Sequence, residues 1–559
     1  MQPFGFCAAD LQPTATNLGC RVGTIPALSS ATWAPDAPQA QSIRGYGSHR
    51  AEHRRKPTPI YLSKLDSLYS TPGALLLHLP QTATMRLGIL TDFPSVAVQS
   101  GPAIHTRFLH DGMVNRGHKV TLIGPDTTSD DEVPSDQAML LNAIPYPSHP
   151  KVKIVVPNQL GKLWNGPKLD LIHGQVANQS ILYANWLRRM HRTAVLNTHI
   201  VHLPSHSHFA LSDTLFKNRL AREVMMEVGN AAERQAAGMY NDGDALIVQS
   251  RYMVDYWRER GVTVPIEVVG RPIDPDKFSR QPEADPFPSR FAQGKRLIVV
   301  CRHDREKSLD QLIRIFDEEL APADADLTLT LIGAGHAHEA LKAQGAASRY
   351  ADRILFPGEI RHNKLVDWYA HADLFVYTSV SETFGNVVNE ALWTGLPVVA
   401  LNDRMGVAHQ VLDGVNGRLI EPACSDTSAK FAEAVLEVLR DRGLHNAMAE
   451  KAANLSRRTS HPDVVLGRFE RIYEQAIRRV HDTVPVPLSE RSKAVQMATF
   501  AKAVGSWSVY AGTLLGLGHT TGKLGLNRAE IEVLSGNSSG SRNAESVVQS
   551  GYASAEASP

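Results

Sequence analysis

The chain has 559 residues, 43% apolar and 21% charged, with a net charge of +1. That length holds two or three domains with full cores, and the near-neutral charge excludes a global electrostatic case for nucleic acid. Cys7, Cys20, Cys301 and Cys424 are scattered and form no CxxC pair, which excludes a dense disulfide framework and suits a reducing cytosol.

Residues 1–84 carry little periodic structure. Ala, Ser, Thr, Pro and Gly dominate Gln12 to Gly47, and a basic cluster runs from Arg50 to Lys56. The segment lacks the charged start and continuous apolar core of a secretory signal. It reads as disordered, or as lying ahead of a true start at Met85, with a targeting sequence as the alternative. Order begins at Arg86. Leu87-Gly88-Ile89-Leu90 reads as a short buried strand, and Ser100-Gly101-Pro102 opens a helix with Pro102 in its first turn. Ile104, Phe108 and Leu109 give that helix an apolar face. Gly117 ends it, and Lys119 to Gly124 is the next strand. No G-x-G-x-x-G follows the first strand, which argues against a dinucleotide site.

Further strands are expected at Leu169–His173, Thr193–Leu196, Asp244–Val248 and Ile266–Val269, with helices between them, the longest around Ser212 to Met239. This alternation is the rhythm of a doubly wound parallel sheet. The Pro-rich stretch 276–294 reads as a linker between domains at 85–275 and 295–482. The second domain opens at Arg296–Val300 and continues through strands at Leu327–Ile332, Arg353–Phe356, Leu374–Thr378 and Val398–Leu401. Two such sheets facing each other make a cleft, the usual place for a ligand. Phe469, Ile472, Tyr473 and Ile477 form one face of a late helix. Residues 483–559 read as a low-complexity extension. Its uncharged, glycine-rich part, Ala503 to Gly522, is too weakly apolar for a membrane span and reads as partly buried or surface-dipping. No run in the chain has the length and apolarity of a transmembrane helix.

The stretch from Ser381 to Ala391 carries the most chemistry. It is a strand-to-helix turn, at the carboxyl edge where open α/β sheets bind ligands. Glu382 lies just before the helix and Glu390 inside it, eight positions on. The helix start offers N–H groups to a phosphate, and each carboxylate can accept from two sugar hydroxyls. Arg302 and Lys307, after the first strand of the second domain, are cations suited to a diphosphate leaving group. Gly333-Ala334-Gly335 ends the next strand and allows close backbone approach. His199 ends a first-domain strand. The spacing of His199, His202, His206 and His208 is irregular and crosses Leu203-Pro204, so a metal site is not expected there. Asp130-Asp131-Glu132 lies in a polar loop and reads as solvated. Arg188, Arg189, Arg192, Lys217, Arg219 and Arg222 read as a solvated helix face or as a contact with an anionic membrane.

Glu382-x7-Glu390 with Phe384-Gly385 resembles the retaining nucleotide-sugar glycosyltransferases of family 4, the glycosyl transferases group 1. Arg302, Glu306-Lys307, Gly333-x-Gly335 and Gly117-His118-Lys119-Val120 extend the resemblance, which covers roughly Arg86 to Val480. Ser308 stands where the family has glycine. The resemblance implies the GT-B fold, two Rossmann-like domains facing a cleft, with the last helices crossing back to the first domain. It implies transfer of a hexosyl group from a UDP- or GDP-linked sugar to a lipid, polysaccharide or small-molecule acceptor, with retention and with no metal or other cofactor. Glu390 would hold the ribose; Glu382 and the backbone of Phe384, Gly385 and Asn386 would hold the donor sugar. Arg302 and Lys307 would stabilise the diphosphate, assisted by the N–H groups of Val387 and Val388. Gly333, Gly335 and Gly101 would let backbone approach the donor, and His199 would line the reacting face. Front-face and double-displacement routes both stay open, as do a sugar epimerase and a non-catalytic nucleotide-sugar-binding scaffold. The expected location is cytoplasmic, with peripheral contact at the cytoplasmic face of a membrane.

Overall fold

A computed structural model of the chain describes residues 83–483, apart from 92–100, 127–137, 201–218 and shorter gaps of one to three residues, and a few positions between 497 and 505. The expectations for residues 1–82, for Asp130–Glu132, for His202, His206 and His208, for Lys217 and for nearly all of the C-terminal extension lie outside the described residues.

The chain forms fifteen strands among the described residues: β1 (Arg86–Leu90), β2 (Lys119–Pro125), β3 (Ala138–Leu141), β4 (Ala143–Tyr146), β5 (His149–Val155), β6 (Leu171–Gly174), β7 (Ala194–Thr198), β8 (Ala245–Val248), β9 (Ile266–Val268), β10 (Lys295–Val300), β11 (Leu327–Ile332), β12 (Ile354–Gly358), β13 (Leu374–Tyr377), β14 (Val398–Leu401) and β15 (Gly417–Ile420). They make a seven-stranded sheet ordered β3-β2-β1-β6-β7-β8-β9, a six-stranded sheet ordered β12-β11-β10-β13-β14-β15, and a small antiparallel pair, β4-β5. Both large sheets are parallel throughout. The central strands are continuous apolar runs because helices cover both faces; Leu297, Ile298 and Val299 are fully buried, as are Leu374, Phe375 and Val376.

Six helices matter to the site: α1 (Gly101–Asn115), α2 (Gln179–His191), α3 (Arg219–Asn241), α4 (Asn386–Trp393), α5 (Arg442–Ser460) and α6 (Pro462–Thr483). The last of these returns to the first sheet. Val465, Leu466, Phe469 and Tyr473 share one core with Leu87, Leu122 and Leu171. Gly112 of α1 lets α6 come close, since a Cβ there would sit 2.6 Å from Leu466. Polar contacts fix the register. Glu470 accepts from Arg116 Nε at 2.9 Å and Nη2 at 2.8 Å and pairs with His118 Nε2 at 3.0 Å, while the Tyr473 hydroxyl bonds His173 Nδ1 at 2.8 Å. Burial would raise the Glu470 carboxyl, but Arg116 and His118 outweigh it and hold it below its ordinary value.

The Pro-rich stretch is more than a tether. It holds a short helix, Pro275–Phe278, and a 3-10 turn, Ser289–Phe291. Phe278, Phe287 and Phe291 are buried in the core of the second sheet. The basic residues at and just past the end of α2 meet partners within the chain: Arg188 makes a two-pronged contact with Asp244 at 2.7 and 2.8 Å, Arg189 pairs with Asp242, and Arg192 donates to the His481 carbonyl. No helix among the described residues is long and apolar enough to cross a membrane.

Candidate active site

The site lies where β10 and β13, neighbours in the second sheet, both reach their carboxyl ends. The loop after β10 carries Arg302 to Lys307, and the loop after β13 carries Glu382. Strand order therefore brings together side chains 75 positions apart: the Lys307 ammonium donates to Glu382 Oε1. The same oxygen accepts from the Tyr377 hydroxyl at 2.7 Å and the Ser379 hydroxyl at 3.0 Å. Lys307 also pairs with Glu306 at 3.3 Å. Burial would raise the Glu382 carboxyl, yet Lys307 and the two hydroxyls hold it below its usual range. Burial would likewise lower Lys307, and Glu382 and Glu306 raise it instead. Both groups therefore stay charged at neutral pH, and each answers the other.

Arg302 is held differently. Its guanidinium is largely exposed and pairs with Asp304 at 2.5 Å and Glu306 at 3.1 Å. Ser308 adopts φ 51° and ψ 36°, the left-handed region that glycine enters without strain. Thr378 helps to hold this turn, donating to the Lys307 carbonyl at 3.1 Å and the Ser308 carbonyl at 3.0 Å. Glycine at this family position thus has a backbone reason.

Helix α4 begins behind Gly385, whose φ of +81° sets the entry angle. The Gln410 amide donates to the Phe384 carbonyl, and to that of Gly385 at 3.3 Å. Asn386 is exposed and Val387 half-buried at the helix start, while Val388 is fully buried in the core. The Val388 N–H donates to the Gly385 carbonyl at 3.1 Å, so that group is already engaged. Glu390 is buried on the inner face of α4. Its two oxygens meet the Tyr369 hydroxyl at 3.0 Å and His362 Nε2 at 3.0 Å. This bond raises the His362 pKa above its ordinary value against the opposing effect of burial. A carboxylate has about four acceptor positions, so Glu390 keeps capacity for a ligand's hydroxyls.

The two glycines of the 333–335 turn are explained by the protein itself. Gly333 has φ +135°, and a Cβ there would lie 1.9 Å from the Cys301 carbonyl; at Gly335 it would lie 2.7 Å from the His303 carbonyl. The turn is pressed onto the loop that carries Arg302 and Lys307, and that packing requires glycine before any ligand arrives. Gly101 is the first residue of α1. His199 directly follows β7 and is buried, 3.4 Å from the Tyr240 hydroxyl and edge-on to Trp257 at 4.7 Å.

The two sheets meet at the Glu382 loop. Thr383 Oγ1 donates to the Ile200 carbonyl, next to His199, at 2.9 Å. Ser250 Oγ donates to the Met405 carbonyl at 2.6 Å, and Asn389 Nδ2 to the Arg271 carbonyl at 3.2 Å. The Phe384 ring lies against Gly270, where a Cβ would be 3.3 Å away. The neighbours of His199 and Glu382 in the chain thus meet where the two sheets touch. Asp403 organises the neighbouring loop by accepting from the N–H groups of Met405, Val407 and Ala408 at 2.9 to 3.0 Å. Burial, reinforced by the Glu382 charge, pushes its carboxyl up to about 6 against those bonds. Sequence reasoning missed Tyr377, Ser379, Tyr369, His362, Thr383, Asp403 and Arg271. Tyr377 lies inside a strand that reads simply as core, and the others are single polar residues without a spacing pattern.

A family profile described as "Glycosyl transferases group 1" matches residues 281–455, and one described as "Glycosyl transferase 4-like domain" matches residues 100–272. The alpha-monoglucosyldiacylglycerol synthase of Streptococcus pneumoniae is 25% identical over 333 residues, 56% of this chain and 71% of that protein. A D-inositol 3-phosphate glycosyltransferase of Thermobispora bispora is 32% identical over 203 residues, 35% of this chain and 46% of that protein, so the match spans about half of that relative. Sucrose-phosphate synthase from Thermosynechococcus elongatus shares the fold with a TM-score of 0.52 and 20% identity, over 71% of this chain and all of that one. With one profile on each large sheet, together more than half of its length, the chain belongs to the group 1 glycosyltransferases and has their GT-B fold.

Proposed function

We propose that this glycosyltransferase moves a hexosyl group from a UDP- or GDP-linked sugar to an acceptor, with retention at the anomeric carbon. The observation that carries the reading is the Lys307–Glu382 pair, seated beside the glycine-capped start of α4 with Arg302 in the same loop. Lysine has three N–H donors. Two face Glu382 and Glu306, and the third serves a phosphate oxygen. Arg302, exposed and paired with Asp304 and Glu306, adds a second cation to the diphosphate. Charge grows on that group as the sugar leaves, and fixed cations in a closed cleft stabilise it. Glu382 orients the sugar hydroxyls, Glu390 takes the ribose, and the amide end of α4 faces the phosphates. His199 lines the acceptor side.

No metal or other cofactor is assigned a part. Lipid, polysaccharide and small-molecule acceptors fit this chemistry; the pneumococcal relative's name favours a lipid. On that reading the protein works at the cytoplasmic face of a membrane. Incubating wild type and Glu382→Ala with labelled UDP- and GDP-sugars and membrane extract tests the proposal. Label should enter a product with wild type and be lost with the variant. Nucleotide binding without turnover by wild type on any acceptor sinks the transferase reading and favours a binding scaffold.

A further inference from the structure

Burying a guanidinium is costly unless an anion meets it. Among the described residues the buried cations Arg296 and Lys307 each have a carboxylate within 4 Å. Arg271 has none, although it is only 8% exposed. It leaves the first sheet in Gly270-Arg271-Pro272, just past β9, where the chain begins to pass to the second. Its neighbour is neutral: with the Gln249 amide turned so that its oxygen faces the guanidinium, that oxygen accepts from Nε at 2.9 Å and Nη2 at 3.3 Å. Gln249 is itself buried at the end of β8. The arginine backbone is fixed from the other side, where Asn389 of α4 donates to its carbonyl. One edge of the fork is thus aligned and its position is pinned by both sheets.

Two further groups lie within electrostatic reach of Arg271. Arg271 lies within electrostatic reach of Glu382, so its charge is felt at the proposed sugar site. It also lies within reach of His105 on α1, which is 4% exposed and whose Nδ1 has no partner. Burial, with the nearby charge of Arg271, keeps His105 neutral. Burial draws Arg271 down to about 10, so it stays protonated at neutral pH.

We propose that Arg271 is an oxyanion-binding residue of the cleft, with Gln249 aligning its fork and His105 as an adjoining hydrogen-bonding group, for a phosphate or carboxylate carried by a bound substrate. A fork of this kind grips such groups at two points. The inference rests on the transferase reading only for the source of the anion, which is either the donor diphosphate or an anionic acceptor.

The test compares wild type with Arg271→Gln and with Gln249→Glu. The second variant sets a carboxylate against the guanidinium in nearly the same shape. Titration calorimetry follows binding of UDP, and of inorganic phosphate in the presence of saturating UDP. Each variant should lose at least tenfold in affinity for one of these probes. Loss of UDP affinity assigns Arg271 to the donor diphosphate. Loss of phosphate affinity with UDP binding unchanged assigns it to the acceptor. Unchanged affinity for both probes, in variants with wild-type circular dichroism, overturns the proposal. If Arg271→Gln does not fold, Gln249→Glu alone decides. If wild type binds neither UDP nor GDP, the proposed donor falls and phosphate alone becomes the probe. Phosphate binding lost in Gln249→Glu then supports the role of Arg271, and no binding by wild type overturns it.

Discussion

Replacing Lys307 with methionine keeps the volume and removes the charge that faces Glu382. Both side chains are well buried, 10% and 15% exposed, so solvent does little to soften the loss. Removing one partner of a buried pair costs about 3–5 kcal/mol. The low end applies here, since the Tyr377 and Ser379 hydroxyls still face the carboxylate. The direction of the pH dependence is the sharper test. In wild type the folded Glu382 pKa lies below the ordinary 4.5, so its stabilisation is complete above that value and fades as pH falls through the folded pKa. Lys307 is raised above 10.5, so its contribution holds below that value and fades as pH rises through the folded one. The pair is therefore a constant asset between roughly 5 and 10.

In Lys307→Met the sign at the acid end reverses. Burial raises the unpaired Glu382, the folded state then binds the extra proton, and the variant gains stability as pH falls through that raised pKa. Urea denaturation of wild type, Lys307→Met, Glu382→Gln and the double variant, from pH 4 to pH 8, reads both effects. The double variant should be more stable than the sum of the single losses by about 2 kcal/mol. Parallel pH profiles for wild type and Lys307→Met, together with simple additivity, would refute the pairing argument.

Three other outcomes follow from the geometry. Gly333→Ala drives a methyl into the Cys301 carbonyl at a strained φ, and should cost more than about 3 kcal/mol, seen as a lowered urea midpoint or loss of soluble protein. Ser308→Gly relieves the left-handed strain and should gain up to about 1 kcal/mol, net of backbone entropy, by the same measurement. Glu390→Gln should return the His362 pKa toward 6.5, since the Glu390 bond is what raises it; an NMR titration of the imidazole follows this. The wild-type His362 contribution is present below 6.5 and fades as pH rises through the higher folded value. Nucleotide affinity of the same variant should fall about tenfold for a lost charged hydrogen bond.

Much of the fold is legible in the sequence because a parallel strand covered on both faces must be apolar along its whole length, and Leu297 to Val300 or Leu374 to Tyr377 can be little else. The β4-β5 pair and β15 escape that logic. The β4-β5 pair is antiparallel and lies outside both large sheets, and the four-residue Gly417-Arg418-Leu419-Ile420 carries a charge at its centre. The Glu382 and Glu390 spacing was visible as well, since it lies within one turn and helix. Its partners were not. Lys307 meets Glu382 only because β10 and β13 are neighbours in the sheet, and strand order is invisible in a local pattern. Gly333 and Gly335 were legible as special positions, but the neighbour that demands them is the Cys301–His303 backbone.

The return of α6 to the first sheet changes how the halves can move. The chain crosses between the sheets twice, once near Arg271 and again near His461, where α5 gives way to α6. A body joined to another by two strands behaves like a door on two pins. Twisting and sideways sliding are resisted, and one swing remains. The residues on that axis move least, and Glu382, Thr383 and Ile200 lie where the edges touch. A swing that parts the sheets then breaks the Thr383–Ile200 bond early, while the core joining Phe469 to Leu171 turns as a single piece.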